Sequence, residues 1–340
     1  MLASMSGGAT ATPSLAPGAI PPDLASVLGT PRAARTPRAT AGATRSGTGA
    51  HGATPSPTET SADDAPSVAT VGGPVPADLR PPILAARDDQ PVIYGNGCVV
   101  AYADTRSRDC IYGDPAGTTT VMLIGDSHAA QWFGPLERLA RERGWRLVVH
   151  TKSACAFIDH LVWIGRFKRA YTECTAWRDD VVRRVVEERP GMVVVSSSRF
   201  VVLDVDGQGL EAEDEPELFD AALARTLRQL GAAAGDVTLI GDTPTSDHDV
   251  PECLANAPGE ILACATPWRT ASAIVRHTHD RVVADAAGVT FIDPDRWLCP
   301  SEPCPPVIGS TLVYRDKGHI THTFAVGVAP YLAAELPPFE

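Results

Sequence analysis

Five short apolar runs set the fold of this chain more firmly than any other feature. They read "TVMLIG" (120–125), "RLVVHT" (146–151), "GMVVVSSS" (191–198), "DVTLIGD" (236–242) and "GVTFID" (288–293). Each is too short to be a helix of its own and is rich in Val, Ile and Leu, as strands buried on both faces must be. Longer amphipathic segments separate them, near 129–143, 174–189, 215–233, 268–287 and 321–336. In the second, "WRDDVVRRVVEERP", paired valines recur at helical spacing until Pro190 stops the pattern. Strands joined through crossover helices predict a three-layer α/β/α fold around a mostly parallel, five-stranded sheet. Functional groups in such sheets gather at the carboxyl ends of the strands.

The fold does not begin at residue 1. Residues 1–80 contain no Phe, Trp, Tyr or Cys, and 57 of them are Ala, Gly, Pro, Ser or Thr, too little apolar surface to offset the entropy of ordering. We therefore expect 1–80 to be a disordered tail or linker and 81–340 to be one domain. Residues 81–118 carry turn signals, "GNGC" and "YGDPAG", and are expected to lie irregularly against the core. The tail has five basic and five acidic residues, so the folded part carries the whole net charge of −12. An acidic domain without a basic stripe argues against a nucleic-acid partner. The first residues, "MLASMSGGAT", lack the pattern of a signal peptide, and no apolar run is long enough for a membrane span.

The eight cysteines fall as close neighbours and include no C-x-x-C pair, which favours disulfides over zinc. The count does not fix the connectivity, but neighbour pairing closes the shortest loops: Cys98–Cys110, Cys155–Cys174, Cys253–Cys264 and Cys299–Cys304. Disulfides persist in oxidising compartments, so the domain is expected outside the cytoplasm.

Chemistry concentrates where the first run ends, in "LIGDSHAAQW" (123–132). Ser127 lies two residues past the strand and directly before a helix, so its hydroxyl sits on a tight turn and its backbone N–H can support a developing oxyanion. Asp126 or Ser127 serves equally well as a helix cap. Near the other end, "YRDKGHITHTFA" places Asp316 and His319 three residues apart, before the last helix. A carboxylate at that spacing can fix one imidazole nitrogen while the other takes a proton from serine.

Further candidates are less specific. Asp126 is expected to bond amides around its turn, and His128 to be structural or to line a pocket. Asp242 and His248, in "GDTPTSDHD", end the fourth run and are expected either at the pocket or in a plain turn. His277 and His279 are two apart on a helix, a spacing that favours a solvated face over a metal site. Trp132, Trp163, Trp177 and Trp268 suit core packing better than a sugar platform. No metal or organic cofactor is called for.

Together, "GDSH", "RDxxH" and the surrounding "SAC", "WR", "CP" and "LVYRD" elements resemble SGNH hydrolases. More narrowly, they resemble the SGNH domains that follow the membrane acyltransferase-3 domain in bacterial cell-surface O-acyltransferases. The resemblance covers roughly residues 75–338. It implies a flavodoxin-like sheet and a triad of Ser127 as nucleophile, His319 as base and then acid, and Asp316 as its orienting group. It also implies an acyl donor, commonly acetyl, delivered by a membrane acyltransferase-3 domain or partner protein, and a hydroxyl acceptor on an extracytoplasmic glycan. The 1–80 tail would correspond to the linker to that membrane domain; without the latter, the chain reads as a fragment, a split partner or a stand-alone relative. General SGNH enzymes add Gly and Asn donors to the oxyanion hole, whereas here the corresponding places read "TKSACAF" and "SSSRF", leaving Ser153, Ser198 or Arg199 as substitutes. Two alternatives follow: a stand-alone secreted carbohydrate esterase, and a non-catalytic glycan-binding or scaffold domain.

Overall fold

The computed structural model describes residues 22–31, 72–203, 215–268 and 272–338. All five apolar runs are strands in one sheet, together with two short additions. In chain order the strands are β1 (Val99–Val100), β2 (Ile111–Gly113), β3 (Thr119–Gly125), β4 (Trp145–Lys152), β5 (Met192–Ser196), β6 (Asp236–Ile240) and β7 (Thr290–Ile292). Their spatial order is β1–β4–β3–β5–β6–β7, all parallel, and β2 alone runs antiparallel, against β4. Counting only the five long runs, the order is 2-1-3-4-5, the flavodoxin-like arrangement. The first long strand, β3, therefore borders the point where the winding reverses.

Among the described residues the sheet has seven strands rather than five because the irregular-looking segment before β3 contributes β1 and β2. Each is only two or three residues long, too short to show a period of two in sequence, and the Cys98–Cys110 disulfide ties together these two pieces, which pair with successive stretches of β4.

Alternate residues of each central strand enter opposite layers, as the pleat requires. Val121, Leu123, Leu147, Val149, Met192 and Val194 pack with Leu136, Phe324 and Leu332 on one face. Met122, Ile124, Val148, Val193 and Val195 pack with Trp177, Val181, Leu223 and Leu227 on the other. The helices that supply these layers are α1 (Pro22–Leu28), α2 (Ser127–Ala130), α3 (Phe133–Arg143), α4 (Thr172–Glu188), α5 (Glu215–Gly231), α6 (Val250–Asn256), α7 (Ser272–Ala287), α8 (His322–Gly327) and α9 (Ala329–Glu335). The predicted helix at 129–143 divides into α2 and α3, and the last into α8 and α9, where Pro330 enters the second piece. Trp132 and Trp177 are fully buried in these layers.

The tail expectation for 1–80 differs from the structure at two places; the rest of that stretch lies outside the described residues. Helix α1 brings Leu24 into the core, with Val27 and Leu28 packed beside it, and the Tyr331 hydroxyl donates to the Gly29 carbonyl at 2.6 Å. An i, i+3, i+4 apolar triplet in so small a helix is easily lost in a window of small residues. Residues 75 and 80 also bond to the domain, through Val75 N to Pro258 O at 2.8 Å and Arg80 N to Ser310 O at 2.8 Å.

All four cysteine pairs are joined as neighbours, with Cα separations of 5.9, 5.4, 5.8 and 4.4 Å. Closing loops of 5 to 19 residues restricts the unfolded chain by roughly 2–3 kcal/mol each in the chain-entropy account. Among the described residues no helix is long and apolar enough to cross a membrane. Non-reducing peptide mapping is expected to recover these four pairs, and replacing both members of Cys155–Cys174 by Ala to lower unfolding free energy by about 3 kcal/mol in urea titrations.

Candidate active site

Ser127 emerges from a backbone that only glycine permits. Gly125 ends β3 at a φ of 148°, and a Cβ there would collide with the Ser196 carbonyl of neighbouring β5. The chain then turns sharply into α2. Asp126 caps this helix, its Oδ1 accepting from the His128 amide at 2.8 Å, while Oδ2 accepts from the amide and hydroxyl of Ser198 at 3.0 and 2.7 Å. One buried carboxylate thus ties the turn after β3 to the turn after β5. Burial holds its carboxyl above the ordinary value, against the opposing pull of His128 and Ser198. Asp126 bonds amides as expected, but it is fully buried and does not line the cleft.

Asp316 and His319 lie on a loop closed by pairing of Tyr314 with Ile320 and by the Arg315 amide donating to His319 O at 2.9 Å. Three bonds pin this loop over α2 and the turn after β6: Ile320 N to Gln131 Oε1 at 3.0 Å, Thr243 Oγ1 to Gly318 O at 2.6 Å, and Ser246 N to Lys317 O at 2.7 Å. The loop delivers His319 to the serine. Nε2 stands 2.9 Å from Ser127 Oγ, and Nδ1 stands 2.9 and 3.1 Å from the two Asp316 oxygens. The amides of Gly318 and His319 donate to Asp316 Oδ1 at 2.9 and 2.8 Å. Although burial raises it, the Asp316 carboxyl is held well below the carboxylate range by His319 and these amides. Burial pushes His319 below its ordinary value against the pull of Asp316, and the neighbouring charge of His128 adds to that push. A neutral imidazole with its Nδ1 side fixed by a carboxylate can take the serine proton at Nε2.

His128 is both structural and pocket-lining. Its Nδ1 meets Asp242 Oδ1 at 2.6 Å, and its ring lies 4.7 Å, centroid to centroid, from that of His319. Burial opposes its charge, but the Asp242 carboxylate overrules this and holds His128 up to about 9. A cleft of about 530 Å³ opens beside these groups, lined by Arg87, His128, Ser198, Arg199, Asp242, Thr245, Asp249, Asp316, Lys317, Gly318 and His319. Arg87 reaches the cleft from a segment before the sheet and pairs with Asp249 at 2.6 Å. Nothing in the sequence links two residues so far apart, and the sequence reading does not single out Lys317 either, although it stands next to Asp316.

Two oxyanion substitutes are corrected. The Ser153 amide donates to Val100 O at 3.1 Å beside β1, away from the cleft lining, and both Ser198 donors are committed to Asp126. Arg199 does line the cleft, with its guanidinium 4.6 Å above the Phe219 ring. Among the described residues no acceptor pairs with the Ser127 amide.

His277 overturns its expected solvated face: it is buried, with Nδ1 2.8 Å from Asp295 and Nε2 donating to the Asp242 carbonyl at 2.8 Å. Its two carboxylate neighbours, Asp293 and Asp295, come from the turn after β7, a contact the helical spacing does not encode. This set is of metal-ligand type, yet the imidazole nitrogen facing the carboxylates is engaged by them as an ion pair. His279 stays exposed beside Asp220, and His248 bonds Asp247 and the Cys264 carbonyl rather than lining the cleft.

A serine, an imidazole and a carboxylate in series at the carboxyl edge of a flavodoxin-order sheet define an SGNH-type domain. The chain belongs to this family: the family model of the SGNH domain fused to AT3 domains matches residues 97–334. It is similar to the periplasmic domain of a lipopolysaccharide acetyltransferase from Salmonella ser. Paratyphi A, at 17% identity over 71% of this chain and 86% of that one, with a TM-score of 0.50. A mutant acetyl-xylooligosaccharide esterase from Geobacillus aligns at 11% identity over 64% of this chain and 94% of that one, with a TM-score of 0.39. At these identities the likeness concerns the fold. No curated protein sequence matches significantly.

The pH dependence of stability follows from the buried pairs. The His128–Asp242 pair raises the folded value of His128 above its unfolded value near 6.5, so its contribution is complete below about pH 6.5 and is lost as pH rises through about 9. His277 behaves alike, with its folded value near 10. Thermal midpoints are therefore expected to fall from pH 6.5 to 10, and His277→Gln to be destabilised at pH 6.5 but to lose less on going to pH 10.

Proposed function

We propose that this protein is an SGNH serine O-acyltransferase that moves a short acyl group, acetyl in the simplest case, onto a hydroxyl of an extracytoplasmic glycan. The observation that carries the reading is the unbroken series from Ser127 Oγ through His319 to Asp316, the last two of which line the cleft. In the first step Ser127 Oγ bonds to the carbonyl carbon of an acyl ester as its proton passes to His319 Nε2. The donor's C–O bond then breaks, and His319 returns the proton to the departing oxygen. The acceptor hydroxyl repeats the exchange in reverse, losing its proton to His319 and releasing Ser127. Asp316 keeps the imidazole oriented throughout and remains ionised.

The lining of the cleft supports the substrate class. Among the described residues its lining side chains are charged or polar apart from Gly318, which suits a polyhydroxylated acceptor better than a long acyl chain. Each missing oxyanion donor costs roughly 2.7–4 kcal/mol in well-studied cases, so with both Ser198 donors committed to Asp126, acyl release to any acceptor, water included, is expected to be slow. The disulfides and the AT3-fused family support a place outside the cytoplasm, next to a membrane acyltransferase-3 domain or partner that supplies the donor.

Incubation with p-nitrophenyl acetate is expected to release p-nitrophenol and to leave one acetyl group on Ser127, seen by intact mass and peptide mapping. Turnover is expected to fall at least ~10³-fold in Ser127→Ala with little change in unfolding midpoint, and p-nitrophenyl octanoate to be a poor substrate. Undiminished turnover in Ser127→Ala would remove this reading.

A further inference from the structure

The residue after the proposed nucleophile belongs to a second imidazole–carboxylate pair that presses on the first. His128 leaves the same turn of α2 as Ser127, and its Nδ1 meets Asp242 Oδ1 at 2.6 Å. Both partners are more than nine-tenths buried. Thr243 Oγ1, 3.2 Å from His128 Nδ1, donates at 2.6 Å to Gly318 O, so the turn after β6 holds the His128 ring and the His319 loop together. The buried His277 donates to the backbone carbonyl of Asp242 at 2.8 Å, anchoring the main chain that carries this carboxylate. The two rings end 4.7 Å apart at a tilt of 53°, too near for either to gain a proton without the other feeling it.

We propose that His128, clamped by Asp242 against the ring of His319, is a positioning residue for acyl transfer: its charge biases His319 toward the neutral, proton-accepting form. This rests on the reading of Ser127 and His319 given above. The groups facing His319 are Asp316 and Arg315 from its own loop and His128 from α2; those facing His128 are Asp242 from the turn after β6, Asp126 from its own turn, and Asp316 and His319 from the loop. Of the groups facing His319, Asp316 alone favours its protonation, while His128 and Arg315 disfavour it. A cationic His128 therefore serves both halves of the cycle. It keeps resting His319 neutral to lower pH, and once His319 holds the serine proton it makes that imidazolium a stronger acid toward the departing oxygen. Its carboxylate partner keeps His128 charged in a buried place where it would otherwise be neutral.

The test is the pH dependence of kcat/KM for p-nitrophenyl acetate in wild type, His128→Gln and Asp242→Asn. Loss of the cation, or of the carboxylate that sustains it, is expected to move the acid limb upward by about one pH unit in both variants. A limb that stays in place while the rate falls evenly at every pH would give His128 a packing role only and overturn the proposal. Should either variant fail to fold, side-chain NMR of ¹⁵N-histidine wild type decides: at pH 7.5 the His128 ring is expected doubly protonated and the His319 ring singly protonated, and a neutral His128 ring contradicts the proposal. Activity that survives Ser127→Ala would instead remove the underlying site, whereas an unmoved limb in a Ser127-dependent enzyme removes only the role of His128.

Discussion

Every functional statement about this molecule depends on one contact, the bond between Ser127 Oγ and His319 Nε2 across 192 residues of chain. Local structure cannot make it. Ser127 is fixed from below by the sheet, because Gly125 allows β3 to touch β5 and Asp126 bolts the next turn to Ser198. His319 is fixed from above by a loop with anchors on α2 and on the turn after β6. The meeting point lies where the strand order reverses, the one rim at which an open α/β sheet leaves room between neighbouring turns.

The electrostatics of that rim form a layered set rather than a single triad. Carboxylate, imidazole and hydroxyl run in series through Asp316, His319 and Ser127, and a second series through His277, Asp242 and His128 abuts it. Charges so near one another cannot titrate independently, and the low-dielectric surroundings enlarge each effect. The arrangement asks for rigid supports, which the sheet and the stapled loops supply.

Much of this was legible in the sequence because it is written in local, periodic or paired form. The apolar runs at 120–125 and 191–198 are strands because nothing else buries such short apolar stretches on both sides, and neighbouring cysteines pair because the intervening loops are short. Ser127 and the Asp316–His319 loop could be read from their places at a strand end and before a helix. What stayed hidden depends on contacts between distant turns. The commitment of Ser198 to Asp126, the burial of His277 against Asp295 and the arrival of Arg87 at the cleft carry no periodic signal. Helix α1 escaped because a single buried leucine in a segment of small residues resembles noise at the scale of a composition window.

The most direct measurement of the central claim is active-site labelling of the folded protein with a fluorophosphonate, followed by peptide mapping. An activated serine is predicted to take one label, at Ser127, and to lose that reactivity when His319 is changed to Ala. A folded protein that remains unlabelled, or that carries the label on another serine, contradicts the account.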